Sequence, residues 1–123
     1  MSSINLESLT KRFPDKGPLI ERMDQFLRAA EREQARTKRP KGFTVTRIFD
    51  EVLPKSQAEL AQLLATLVEV GVLRKVIRLE SEGLGPIQDF TSLEEVPPRI
   101  FDEHLNREIS VRMDNLKLLF YLA

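Results

Sequence analysis

The spacing of apolar residues predicts one long amphipathic helix in the first third of the chain. Between Pro18 and Arg36 they recur every three or four positions, and proline suits the first turn of a helix. The segment TKRPKG follows, where Pro40 and Gly42 disfavour further helix, so we expect the helix to end near Arg36. The predicted inward positions are Leu19, Ile20, Met23, Phe26, Leu27 and Ala30.

Weaker patterns flank this helix on both sides. Residues Ile4 to Phe13 predict a short helix for which Ser3 is available as a cap. Residues Phe43 to Val45 are short and β-prone. Thr46 then suits the N-cap of a helix of about two turns that Pro54 ends.

A fourth helix and a strand follow directly. Ser56 is the predicted N-cap and Glu59 completes a capping box, while Gly71 suits a left-handed C-terminal cap. From Leu73 the period changes from helical to alternating, which predicts a strand over VLRKVIRLES. The apolar stripe of the helix comprises Leu60, Leu63, Leu64, Leu67 and Val68.

The segment 82–106 is too long for a structureless loop in a compact domain. Thr91 with Glu94, and Ser92 with Glu95, have capping-box spacing, so we expect local order there. Six side chains are predicted to pack inward: Ile87, Phe90, Leu93, Val96, Ile100 and Phe101.

The tail 107–123 alternates apolar and polar residues around a predicted Asp114-Asn115 turn, which predicts a closing hairpin that completes a sheet with the Leu73 strand. Leu119 and Tyr121 fall on the face opposite Leu118 and Phe120. If nothing covers that face, Leu119 and Tyr121 form a partner or self-association surface. The alternative is that the N-terminal segment and residues 91–101 fold over it.

The segment Thr44 to Ser81, TVTRIFDEVLPKSQAELAQLLATLVEVGVLRKVIRLES, resembles the winged helix-turn-helix superfamily of bacteria and archaea. The resemblance covers about a third of the chain and implies an α+β fold with an N-terminal helical extension and a small antiparallel sheet. The extended wing is similar to small accessory winged-helix modules of bacterial operons, including conflict and defence systems. We therefore expect a single domain with four parts. They are an N-terminal extension (1–17), the helical core with the first wing strand (18–81), an insertion in the wing (82–106) and a closing hairpin (107–123).

The amino-acid composition limits the ligands and the cellular environment that we expect for the protein. The 123 residues include 19 basic and 19 acidic side chains, so no global field attracts nucleic acid or an anionic membrane. Cysteine is absent, which excludes disulfides and thiolate metal sites. No apolar run approaches the roughly 20 residues that span a bilayer. We expect a cytoplasmic protein without a membrane segment.

The sequence contains no motif or group of residues that predicts a catalytic site. His104 is the only histidine, and Asp50-Glu51 or Glu94-Glu95 are helix neighbours whose side chains diverge. No phosphate-binding or nucleophile-elbow motif is present. We therefore expect no enzyme activity, no cofactor and no small-molecule substrate.

The resemblance implies that the helix from Ser56 to Gly71 would contact DNA, yet it contains no Lys or Arg. Its exposed face is expected to show Gln57, Glu59, Gln62, Thr66 and Glu69. Two carboxylates without cations oppose approach to phosphates. Basic residues concentrate instead in two sets, the first comprising Arg28, Arg32, Arg36, Lys38, Arg39, Lys41 and Arg47 and the second Arg74, Lys75 and Arg78. The first set is interpreted as a solvated helix face, with an anion-docking surface as the alternative; the second could contact phosphate or pair with nearby acids.

These observations predict a non-catalytic protein-interaction module, a small adaptor or accessory subunit that binds another protein or itself. A dimer through the Leu19 to Arg36 helix is compatible with this prediction. The alternative is a DNA-binding regulator that uses Lys55, Gln57, Gln62, Arg74, Lys75 and Arg78 on DNA, with Arg28, Arg32, Arg36, Lys38, Arg39 and Lys41 on phosphates.

Overall fold

A computed structural model describes residues 6–123, so the predicted cap Ser3 and the apolar Ile4 lie outside the described residues. The chain is of mixed α+β class and forms two compact units. The first, here called the helical unit, comprises Met1–Arg74 with Tyr121–Ala123. The second, here called the strand unit, comprises Lys75–Phe120.

The helical unit contains four helices and one short strand among its described residues. They are α1 (Glu7–Arg12), α2 (Gly17–Thr37), β1 (Phe43–Thr44), α3 (Val45–Val52) and α4 (Gln57–Glu69), with a 3₁₀ turn at Pro14–Lys16. The long helix predicted from the apolar spacing is confirmed as α2, with proline in its first turn. It ends where Lys38 adopts a left-handed conformation and donates its N–H to the Gln34 carbonyl at 2.7 Å.

The caps of α3 and α4 show where local sequence signals succeed and fail. The N-cap of α3 is Thr44, whose hydroxyl accepts the Arg47 N–H at 3.1 Å, and the predicted cap at Thr46 is wrong. Thr44 is extended and so leaves the sheet directly into the helix. The predicted Ser56 cap of α4 is confirmed, because its hydroxyl accepts the Glu59 N–H at 3.1 Å. The Gly71 prediction also holds, with φ at +81°.

The core of the helical unit is formed by one face of each helix. Leu19, Ile20, Met23 and Leu27 of α2 are buried, and so are Ile48 and Val52 of α3. The apolar stripe of α4 is buried at Leu60, Leu63, Leu64 and Leu67. These α2 side chains are therefore covered within the chain.

The remaining strands form two antiparallel arrangements. They are β2 (Leu73–Ser81), β3 (Gly85–Phe90), β4 (Arg99–Asp102), β5 (Arg107–Ser110) and β6 (Leu116–Leu122), with 3₁₀ turns at Leu93–Glu95 and Met113–Asn115. The four-stranded sheet has the order β1-β6-β2-β3, and β4 pairs with β5 in a separate two-stranded sheet. The predicted closing hairpin of residues 107–123 is therefore wrong, because β5 and β6 belong to different sheets.

The strand unit consists of hairpins that the sequence only partly indicated. Strand β3 pairs antiparallel with β2, with Ile77 opposite Phe90, and this strand was not predicted. Ile77, Leu79 and Phe90 form a buried cluster, against which Ile87, Val96 and Ile100 pack. Leu93 and Phe101 are 56% and 52% exposed, so their predicted inward packing is wrong. Phe101 lies opposite Glu108, on the face of the β4–β5 hairpin away from Ile100.

Candidate partner-binding groove

An open groove of about 750 Å³ lies within the helical unit. It is bounded by the C-terminal half of α2, by α3 and by the connecting segment that follows α2. Groove-lining residues of α2 run from Arg22 to Thr37, a distance of about 22 Å at the helical rise of 1.5 Å per residue. The groove is therefore long enough to accommodate about four turns of another helix.

The floor of the groove is apolar and partly aromatic. Phe26 of α2 and Phe43 of β1 meet edge to face, with ring centroids 5.0 Å apart. Ala29 and Ala30 continue the floor along α2, and their small side chains leave the space open. Phe43 is 7% exposed, so it belongs to the core of the helical unit as well as to the floor of the groove.

Charged side chains form the rim. Arg22, Arg39, Lys41 and Arg47 supply four cations against the two carboxylates of Glu33 and Glu51. Most of these groups are engaged with neighbours. Arg22 donates to the carbonyls of Val52 and Leu53 at the end of α3, and the Arg47 guanidinium is 3.5 Å from Glu51.

Glu33 is held by an i,i+3 ion pair with Arg36. The hydrogen bond from Arg36 lowers the pKa of Glu33, and the charge of Lys41 acts in the same direction against a desolvation that raises it. Within residues 6–123, Arg39 and Lys41 form no ion pair, so they are the rim cations available to an external anion.

The exposed face of α4 differs from the one predicted. Gln57 and Gln62 are exposed as expected, and so is Glu69. Thr66 is 5% exposed and donates its hydroxyl to the Gln62 carbonyl, so its predicted exposure is wrong. Glu59 is also turned inward, with its side chain 13% exposed. The face therefore shows glutamines, alanines and one carboxylate, and still no cation.

Several basic residues considered for phosphate contact are occupied within the chain. Arg28 pairs with Asp24 at 2.9 Å, and Arg36 pairs with Glu33. Arg78 forms two hydrogen bonds with Asp89 across the β2–β3 pair, at 2.9 and 3.1 Å. Others on the predicted surfaces are exposed: Arg32, Lys38, Arg39, Lys41, Lys55, Arg74 and Lys75. The structure brings Arg39 and Lys41 together at the groove, while Arg78 belongs to the strand unit.

The uncovered surface considered at Leu119 and Tyr121 is not present. Leu119 is 4% and Tyr121 9% exposed, whereas Lys117 and Leu118 of β6 are exposed. The Tyr121 ring packs against Gly42, where an added Cβ would lie 2.7 Å from the ring. The guanidinium of Arg74 lies over the same ring, 5.0 Å from its centroid. Phe120, on the opposite face, is also buried, so both faces of β6 are covered over Leu119 to Tyr121.

The groove itself was not predicted from the sequence. Phe26 and Ala30 were assigned to the core, whereas both are only half-buried and line the groove. The apolar spacing of α2 offered no signal for it, because at 100° per residue Ala30 falls between the buried Leu19 and Met23.

Comparison with protein-family models, with curated proteins and with solved structures gave no match to this chain. Among the described residues, no helix combines the length and the apolar character needed to cross a membrane. In that same part of the chain, no three side chains of the His, Asp and Glu type are grouped so that they could hold a metal ion.

Proposed function

We propose that the chain is a winged-helix domain that acts as a non-catalytic protein-interaction module, a small cytoplasmic adaptor or accessory subunit. Its partner binds in the groove floored by Phe26 and Phe43. The lack of cysteine suits a reducing compartment.

The order of elements supports the winged-helix part of the proposal. Helix α2, strand β1 and helices α3 and α4 are followed by β2, and the sheet order places β6 between β1 and β2. A winged helix has this arrangement when the strand returning from the wing lies between the first strand and the strand that follows the third helix. On this interpretation, residues 82–115 are an insertion within the wing.

The groove is the observation that supports protein binding. Its apolar floor and its length along α2 resemble surfaces into which an amphipathic helix docks. Its aromatic residues are the type enriched at the centres of protein interfaces. An unfilled apolar groove of this length on a folded domain has an energetic reason to be covered by a partner.

The distribution of cations argues against DNA as the main ligand. Helix α4, the helix that a winged-helix protein places in the major groove, has no Lys or Arg. Arg78 on the neighbouring strand is held by Asp89. Since phosphate neutralisation supplies most DNA affinity, the exposed face of α4 lacks the principal source of binding energy.

Two bulky substitutions on α2 test the proposal. Ala29→Trp fills the groove, whereas Ala35→Trp adds the same side chain at an exposed α2 position outside it. In affinity purification from the native cells, a protein that copurifies stoichiometrically with the wild-type chain should be retained by Ala35→Trp and lost by Ala29→Trp. Equal retention by both variants, or copurification of DNA alone, contradicts the proposal.

A further inference from the structure

We propose that the groove recognises an acidic amphipathic helical segment of its partner, with apolar side chains on the Phe26–Phe43 floor and carboxylates on Arg39 and Lys41. This inference rests on the proposed function and adds the chemistry of the occupant.

The charge of the groove is local and positive in a chain whose net charge is zero. Four cations and two carboxylates line it, which leaves an excess of two positive charges. The segment from Arg36 to Lys41, RTKRPK, contains four basic residues and no acid. Complementary potentials across an interface favour the matching partner and exclude the opposite one, so an acidic segment is selected over a basic one.

The cations differ in their availability. Arg22 and Arg47 are engaged at α3 by the carbonyls of Val52 and Leu53 and by Glu51, respectively. Arg39 and Lys41 are exposed, and within the described chain neither belongs to an ion pair. A carboxylate that reaches them therefore does not need to break an existing ion pair.

The floor determines that the occupant is amphipathic. Phe26, Ala29 and Ala30 lie on adjacent turns of α2, and Phe43 extends this surface from the neighbouring strand. An apolar strip of this kind matches side chains at helical positions i, i+3, i+4 and i+7 of a ligand. The length of about 22 Å suits roughly 15 residues of helix.

Single-stranded nucleic acid fits the same charge but not the same floor. Base stacking needs an exposed aromatic face. Here Phe43 is 7% exposed, its ring lies 5.9 Å from the Arg47 guanidinium, and Phe26 meets it at an interplanar angle of 68°. Neither ring offers a flat open platform, which favours a peptide.

The test uses the full 123-residue chain, labelled with ¹⁵N, and four probes. The first is a synthetic 15-residue helical peptide with Leu and Phe at i, i+3, i+4 and i+7 and Glu at the remaining outward positions. The second replaces every Glu with Lys, the third keeps Glu and replaces the apolar residues with Ser, and the fourth is a 12-nucleotide oligothymidylate.

The proposal predicts that only the first probe shifts the amide resonances of Ala29, Ala30, Lys41 and Phe43, with an affinity that falls as salt is raised. The double variant Arg39→Glu with Lys41→Glu should weaken this binding at least about tenfold. The control pair Lys11→Glu with Lys55→Glu changes net charge equally outside the groove and should leave it unchanged.

Each contrary outcome has a defined meaning. If the Lys peptide binds in the groove as tightly as the Glu peptide, the acidic preference is wrong while the proposed protein-binding function stands. Binding of the oligothymidylate at these amides overturns the proposal in favour of nucleic acid. If no probe binds at millimolar concentration, the inference is also overturned, and the Ala29→Trp purification then decides separately whether the protein-binding function fails.

Discussion

The Lys16 ammonium donates a hydrogen bond to Oε2 of Glu59 at 2.9 Å, while Oε1 of the same carboxylate accepts the Lys55 N–H at 3.1 Å. This arrangement turns Glu59 away from the exposed face of α4 and joins the start of that helix to the residue preceding α2. Glu59 therefore has a structural role that is independent of any repulsion between its charge and a nucleic acid.

The pair predicts a specific pH dependence. The hydrogen bonds from Lys16 and Lys55 lower the pKa of Glu59 below its ordinary 4.5, so its contribution to stability is present above pH 4.5 and is lost as the pH falls through the lowered value. The hydrogen bond to Glu59 raises the pKa of Lys16 above its ordinary 10.5, so that contribution is lost only in strong alkali.

Glu59→Gln should therefore lower the urea midpoint at pH 7 and have a much smaller effect at pH 3. Glu69→Gln is the matched control, because Glu69 is on the same helix, 3.9 Å from Arg12 and with its side chain 68% exposed. A Glu59→Gln effect that is equal at pH 7 and pH 3 contradicts the assigned role of the pair.

Gly42 and Tyr121 provide a packing test within the helical unit. A Cβ at position 42 would lie 2.7 Å from the Tyr121 ring, which is buried, so Gly42→Ala should cost about 1–3 kcal/mol in the free energy of unfolding. Gly17 is the control, because it lies in the first turn of α2 and no surrounding atom would be within 4 Å of a Cβ added there. Gly17→Ala should be neutral or stabilise by up to about 1 kcal/mol. Similar midpoints for the two variants in chemical denaturation would show that Tyr121 is not packed as described.

Asp102 should hold the β4–β5 turn together. This residue is 0% exposed, and its Oδ1 accepts the N–H groups of His104 and Leu105 at 2.8 and 3.4 Å. Burial raises the pKa of Asp102, but stabilisation of the charged form by the nearby Ser81 hydroxyl and the two N–H groups outweighs it, so the pKa is lowered overall.

Removing this carboxylate should therefore open the turn locally. Asp102→Ala should accelerate hydrogen exchange at the His104 and Leu105 amides by about tenfold or more, since these donors lose a charged acceptor. Glu103→Ala, on the exposed neighbour, is the control. Unchanged exchange at both amides in Asp102→Ala contradicts this role.

Duplex DNA should be a poor ligand. The account predicts affinity no tighter than the roughly 1–100 μM typical of nonspecific binding at physiological salt. The triple variant Arg74→Glu, Lys75→Glu and Arg78→Glu should leave copurification of the protein partner unchanged. Fluorescence anisotropy with a labelled duplex checks the first statement. Sub-micromolar binding that the triple variant abolishes supports the DNA-binding alternative instead.

Helix α2 and the cap at Ser56 could be predicted because their determinants are local. Apolar spacing, a proline in the first turn and a side-chain cap act within a few residues of chain. Thr44 shows the limit of such signals: two threonines compete for the cap of α3, and the choice depends on where strand β1 ends.

Features that depend on distant segments could not be predicted. The partner of β6 depends on sheet pairing across tens of residues, and the tail pattern alone suggested a hairpin with β5. The inward turn of Glu59 depends on Lys16, 43 residues away. The groove beside Phe26 likewise exists because the segment after α2 leaves Ala29 and Ala30 uncovered, which no periodicity along α2 indicates.

Paired photo-crosslinking tests the central claim most directly. A benzophenone amino acid replaces Gln25, which lines the groove, or Gln62, which lies exposed on α4. The two positions are glutamines on helices of the same unit, so expression and folding are matched. After irradiation in the native cells, the account predicts a discrete protein adduct from position 25 and none from position 62. Adducts to DNA from position 62, with no protein adduct from position 25, would contradict it.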